Sequence, residues 1–126
     1  MKKIITTTEA PAPIGPYNQA VLTGNTLYTS GQIAINPETS ELVLENIKAE
    51  TTQVMNNLKA VLKAADMTFE NVIKSTIFIS NMDDFVNINE VYGSYFDDAT
   101  APARETVQVA RLPKNVNVEI SVIAIK

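Results

Sequence analysis

Residues 102–121 read PARETVQVARLPKNVNVEIS and hold both arginines of the chain, Arg104 and Arg111, in a protein that also has eight lysines. Two β-branched runs flank Pro113-Lys114-Asn115, a turn signal, so the stretch and its continuation to Ile125 are read as two terminal strands. Side-chain alternation sends Arg104, Thr106 and Gln108 to one face of the first strand, open and polar, and Val107 and Val109 to the other, toward the core. In the second strand Glu119, Ser121, Ile123 and Ile125 share a face opposite Val118, Ile120, Val122 and Ala124. Both faces turn apolar toward the C-terminal end, so this strand is expected to be central, with Glu119 beside apolar surface. If the two strands form a hairpin, a direct Arg104–Glu119 ion pair needs a register shift. The register itself stays open at this level.

Working outward, KKIITT at the start reads as a short strand, and EAPAPIGPY, with three prolines and a glycine, as an irregular loop leading into Tyr17. NQAVLTGNTLYTSGQIAI reads as a hairpin about the Thr23-Gly24-Asn25-Thr26 turn. Beyond the turn at residues 36–40, the apolar positions Ile47, Val54, Met55, Leu58, Val61, Leu62 and Ala65 recur at helical spacing, which predicts a helix over 46–65 with Asn46 as N-cap. NVIKSTIFIS predicts a strand from Val72 to Ser80. Asp83 is expected to cap a second helix, with Phe85, Ile88, Tyr92, Tyr95 and Phe96 on one face, running to about Asp98. The class is therefore α+β, a mixed or antiparallel sheet covered by two helices, in one domain over residues 1–126.

Composition narrows the chemistry. At 126 residues the chain can bury roughly two thirds of its unfolded surface, and 45% apolar against 19% charged residues is globular composition. With no long apolar run or leader pattern, the expected location is cytoplasmic. There is no histidine and no cysteine, which excludes thiolate catalysis, a Ser-His dyad and an ordinary zinc site. Proton transfer is left to carboxylates, tyrosines, lysines, water and backbone groups. A net charge of −4 lacks the basic footprint of a phosphate-backbone binder, so no nucleic-acid partner is expected. Glu119 stands out because a carboxylate beside apolar surface has its charged form disfavoured and its pKa raised into a range useful for acid–base work.

Four segments carry a resemblance: IGPYNQAV at 14–21, YTSGQIAINPET at 28–39, VYGSYF at 91–96, and PAR at 102–104 followed by VARLPKNVNVEI at 109–120. In this order and chain length they resemble the reactive intermediate deaminases of the RidA type, also called YjgF-like proteins. The resemblance implies a chorismate-mutase-like α+β subunit assembled as a homotrimer, with sites in the clefts between subunits. It implies hydrolysis of 2-imino and 2-enamino acids such as 2-aminoacrylate, 2-iminopropanoate and 2-iminobutanoate to 2-keto acids and ammonium, in amino-acid metabolism, with no metal and no cofactor.

Residue by residue, the resemblance implies that Arg104 binds the substrate carboxylate and that Glu119 handles the attacking water and the departing amine. Tyr17, counted with them as catalytic, would close one side of the pocket and position water, with Ser30 and Gly31 along its rim, Asn89 as support or ligand contact, and Thr106 near the substrate nitrogen. Thr106 stands where many relatives have cysteine, and Asp66 where a glycine commonly follows the first helix. Two rival functions use the same residues differently. One is a non-catalytic sensor of 2-keto acids, which needs Arg104 but no water chemistry from Glu119. The other is ribonuclease or translation-inhibitor activity, which the charge balance opposes.

Overall fold

The structure is a computed structural model and describes all 126 residues. Eight elements follow in order: β1 (Lys2–Ile5), β2 (Ala20–Thr23), β3 (Thr26–Thr29), α1 (Ile47–Ala64), β4 (Val72–Ile79), α2 (Phe85–Gly93), β5 (Ala103–Gln108) and β6 (Val118–Ile125). The six strands form one sheet in the order β1-β2-β3-β6-β4-β5. Every pairing is antiparallel except β4 with β5, which α2 joins as a parallel crossover. The sheet is mixed and β6 is central, as its two-sided apolar sequence predicts.

The local signals hold. β2 and β3 pair with Thr23 opposite Thr26, and Gly24 supplies the positive φ of the turn. Asn46 caps α1, its side chain accepting the Ala49 N–H at 2.8 Å. Val54, Met55, Leu58, Val61 and Leu62 of α1 are fully buried against Leu27, Ile77, Ile120 and Ala124 of the sheet. At the far end of α1, Asp66 takes φ 57 while its N–H reaches the Lys63 carbonyl and the Met67 N–H reaches that of Leu62. This is a Schellman ending with aspartate at the left-handed position.

Other expectations are corrected. α2 stops at Gly93 rather than near Asp98. Tyr95 and Phe96 keep helical spacing in sequence but lie in turns beyond the helix end, where both stack on Phe69, with ring centroids 5.2 and 5.4 Å away, and Phe96 also on Tyr92 at 4.8 Å. Asp97 and Asp98 would moreover place negative charge at a helix C-terminus. Asp83 is not the cap of α2. It lies in a short 3-10 turn capped by Asn81, whose side chain accepts the Asp83 N–H at 2.9 Å, and Asp84 holds the N-cap position without a side-chain bond.

β5 and β6 are not hairpin partners, because β4 lies between them. The Pro113–Asn115 turn belongs to a connection in which Lys114 and Asn115 both take positive φ. Arg104 pairs in register with Ser75 of β4, a buried residue bonded to Tyr92 of α2, so its strand position faces the helices and not the open side. Val107 pairs with Phe78 and is exposed on the opposite face. The expectation that it enters the core fails because the helices cover the Arg104 face instead.

That second face carries no helix. A row of residues in register, Ile4–Val21–Tyr28–Ile123, crosses it from β1 to β6, and Ile4 and Tyr28 are exposed. No helix of the structure is long and apolar enough to cross a membrane.

Candidate functional site

The face without helices holds a cavity of about 560 Å³, lined among others by Ile14, Tyr17, Ser30, Gly31, Lys114 and Glu119. Glu119 reaches it from β6, where its register partner is Phe78. Gly31 sits alongside because Gln32 and Ile120 bridge the two segments with bonds of 2.8 and 3.1 Å. A Cβ on Gly31 would fall 2.7 Å from both Cδ and Oε2 of Glu119, so the carboxylate lies directly against the glycine backbone. This contact needs the missing side chain, not an unusual φ. Burial pushes the Glu119 carboxyl above its ordinary value of 4.5.

Ser30 is committed to the main chain. Its N–H donates to the Gln19 carbonyl at 2.9 Å and its hydroxyl to the Asn18 carbonyl at 2.5 Å. Tyr17, half exposed, folds its hydroxyl back to accept the Ile14 N–H at 3.3 Å. Tyr17, Ser30, Gly31 and Glu119 are therefore brought together.

Arg104 builds a separate cluster. Its guanidinium carbon is 5.1 Å from the centroid of the Tyr92 ring and 5.6 Å from that of Phe85, and Nη1 donates to Asn89 Oδ1 at 2.6 Å. Contacts of this kind hold the group flat and oriented. The Tyr92 hydroxyl donates to Ser75 Oγ at 2.8 Å. Burial raises its pKa, which the Ser75 bond and the Arg104 charge partly oppose. Thr106 shares the Arg104 face, in register with Ile77, and its hydroxyl oxygen is buried without a hydrogen-bond partner.

Within one chain the two clusters do not meet. Ser75 and Phe78 are three positions apart on β4, so their partners Arg104 and Glu119 project from opposite faces. Asn89 and Thr106 go with Arg104, while Tyr17, Ser30 and Gly31 go with Glu119. The cross-strand ion pair is absent. Sequence reasoning assigned Phe85 and Tyr92 only to the core, although both also platform Arg104, and it missed Ile14 and Lys114 on the cavity wall. Helical periodicity cannot show that a core aromatic has a second face in use.

The family model described as Endoribonuclease L-PSP matches residues 7–126. A RutC family protein of Synechocystis is 52% identical over 98% of this chain and 95% of its own length. The 2-iminobutanoate/2-iminopropanoate deaminase of Escherichia coli is 44% identical over 100% of this chain and 99% of its own. The chain belongs to the RidA family. Within that family, the crystal structure of Escherichia coli TdcF with bound serine superposes with a TM-score of 0.92 at 44% identity, covering 98% of both chains. Not every RidA-family relative has a name that states an activity: the Synechocystis protein is named for its family alone.

Proposed function

We propose that this RidA-family chain is a hydrolytic deaminase of reactive 2-imino and 2-enamino acids, acting as a 2-iminobutanoate/2-iminopropanoate deaminase in the cytoplasm on intermediates of amino-acid metabolism. Residues 1–126 form its single, chorismate-mutase-like domain. The observation that carries the reading is the division of the chemistry between two faces of one sheet: an oriented guanidinium at Arg104 and a carboxyl of raised pKa at Glu119. Each is half of what an imino acid requires. A homotrimer completes the site by setting the Arg104 cluster of one subunit against the Glu119 cavity of the next. The uncovered sheet face, with Ile4 and Tyr28 exposed, supplies the apolar surface for that assembly.

In this mechanism Arg104, held by Asn89, Tyr92 and Phe85, grips the substrate carboxylate through two parallel N–H donors. The imine carbon then lies over Gly31, with Tyr17 closing the wall and Ser30 and Thr106 on the rim. The Glu119 carboxylate takes a proton from water as the water oxygen bonds to C2 of the protonated imine and the C=N π pair moves to nitrogen, which leaves a neutral carbinolamine. The protonated Glu119 then gives that proton to the amine of the carbinolamine. The hydroxyl passes its own proton to the freed Glu119 carboxylate as C=O forms and the C–N bond breaks, and the departing ammonia carries that proton away as ammonium. A carboxyl whose pKa is raised toward neutrality serves both directions of transfer. The reaction needs no metal and no cofactor, since the substrate is already activated.

Serine bound to TdcF is an amino acid with the same α-carboxylate, which supports a small carboxylate ligand here. The net charge of −4 argues against RNA as the substrate. The test mixes the protein with threonine dehydratase and threonine and traps the released imine with semicarbazide. Wild type should divert imine to 2-ketobutanoate before the trap, and Arg104→Ala should not. Unchanged trapping by wild type, together with saturable 2-ketobutanoate binding, would favour the sensor reading instead.

A further inference from the structure

Gln19 is 3% exposed, and its side-chain amide joins the proline-rich segment to the body of the protein. Its Nε2 donates to the carbonyls of Thr7 at 2.9 Å, Ala10 at 3.2 Å and Pro11 at 2.9 Å, and its Oε1 accepts the Thr7 N–H at 2.8 Å. The main-chain carbonyl of the same residue accepts the Ser30 N–H. One residue thus ties the loop over 7–17 to the strand end that carries Ser30 and Gly31.

The loop has little else to hold it. Its own polar contacts are Glu9 N–H to Thr7 Oγ1 at 3.1 Å, Ile14 N–H to the Tyr17 hydroxyl, and Tyr17 N–H to the Gly15 carbonyl. The Glu9–Lys63 ion pair is 3.9 Å long and exposed, and is worth little. Ala10 is buried, but its side chain is a single methyl. Pro11, Ala12, Ile14 and Tyr17 of this loop all line the cavity that holds Glu119.

We propose that Gln19 is a positioning residue that makes this loop a fixed wall of the Glu119 cavity and so sets the affinity for the substrate. The proposal rests on the deaminase reading above. An amide is suited to the task, since it offers two N–H donors and an acceptor in one plane, and the loop carbonyls sit where only a donor satisfies them. Pro11, Pro13 and Pro16 stiffen the loop, so once released it moves largely as a piece and takes Ile14 and Tyr17 with it. A ligand must then restore the closed arrangement out of a mixture. Apparent affinity falls by the fraction of molecules in that arrangement, while bound substrate meets the same Arg104 and Glu119.

The test uses Gln19→Leu, which removes the donors and the acceptor, and Gln19→Glu, which keeps the acceptor and loses the donors. Three quantities are read on the assembled protein: amide hydrogen exchange, kcat and KM for 2-iminobutanoate generated in situ, and Kd for 2-ketobutanoate by calorimetry. Exchange of the bonded amides of this segment, those of Thr7, Glu9, Ile14 and Tyr17, should rise at least about tenfold with α1 and β6 unchanged. KM and Kd should rise about tenfold in both variants, with kcat within about twofold of wild type.

If loop exchange rises and KM and Kd stay at wild-type values, the wall does not set affinity and the proposal fails with the deaminase reading intact. Loss of cooperative folding in both variants would make Gln19 a residue of the fold alone, and would also overturn it. A wild type that binds 2-ketobutanoate without turnover removes the deaminase reading, and the variant Kd values then decide the role of Gln19. A wild type that neither turns over nor binds contradicts both.

Discussion

Arg104 and Glu119 project from opposite faces of one sheet, the first level with Ser75 of β4 and the second with Phe78. In the proposed homotrimer, a substrate that needs both lies where the Arg104 face of one subunit meets the Glu119 face of another. The functional consequences follow from how each half is held.

Replacing Arg104 by lysine keeps the charge but not the planar fork. The loss of bidentate geometry is worth about 1.5–3 kcal/mol, so kcat/KM should fall about 10- to 150-fold. Steady-state kinetics on 2-iminobutanoate check this. Asn89→Ala releases Nη1 without removing the guanidinium and should raise KM several-fold less than Arg104→Lys does.

The carboxyl of Glu119 has a folded-state pKa above its ordinary value of 4.5, caused by burial. Between 4.5 and the raised value the folded chain holds a proton that the unfolded chain has lost. Stability therefore falls as pH rises through that window and stays at the lower level above it. Glu119→Gln removes this dependence. Its Tm relative to wild type should be higher at pH 7 than at pH 4, while hydrolysis is abolished. An equal Tm difference at both pH values would contradict the burial account.

Gly31→Ala places a methyl 2.7 Å from the Glu119 carboxyl carbon. The side chain is flexible enough to swing away, so the fold should survive with a Tm within a few degrees of wild type, but the carboxyl leaves its position. Activity should drop at least about tenfold, the order expected when a catalytic group is displaced by an ångström or so. Thermal scans and turnover measured on the same sample separate the two effects.

Asp66 occupies the left-handed position of a Schellman ending, beside the negative end of the α1 dipole. Glycine adopts that conformation without strain, so Asp66→Gly should stabilise the protein by about 0.5–1 kcal/mol. A Tm increase of a few degrees with unchanged activity is the expected outcome, read by thermal denaturation.

The parts of this fold written in adjacent residues were legible in the sequence. The β2–β3 hairpin, the Asn46 cap and the buried stripe of α1 depend on spacing and on turn chemistry within a few positions. The central place of β6 between β3 and β4 was legible too, in a run apolar on both faces, although only the face of Val122 and Ala124 is covered and Ile125 on the other is exposed. The relation of Arg104 to Glu119 was not. It depends on β4 entering between β5 and β6, a long-range choice that alternation within either strand does not encode.

Phe85 and Tyr92 present one side to the core and another to Arg104, and a hydrophobic period records only the first use. Tyr95 and Phe96 continue the helical period of α2, yet they lie beyond its end at Gly93, in a tertiary cluster with Phe69. Gln19 makes its bonds 8 to 12 residues back along the chain, into a loop with no period to read.

Co-assembly of two inactive variants tests the central claim most directly. Arg104→Ala and Glu119→Gln are unfolded together in equal amounts, refolded into mixed oligomers, and assayed for imine hydrolysis against each variant refolded alone. If every site takes Arg104 from one subunit and Glu119 from its neighbour, the mixture should recover activity from about a quarter of its sites, the chance that two adjacent subunits pair intact halves. If both residues act within one chain, the mixture stays as inactive as its parents, and the shared site is contradicted.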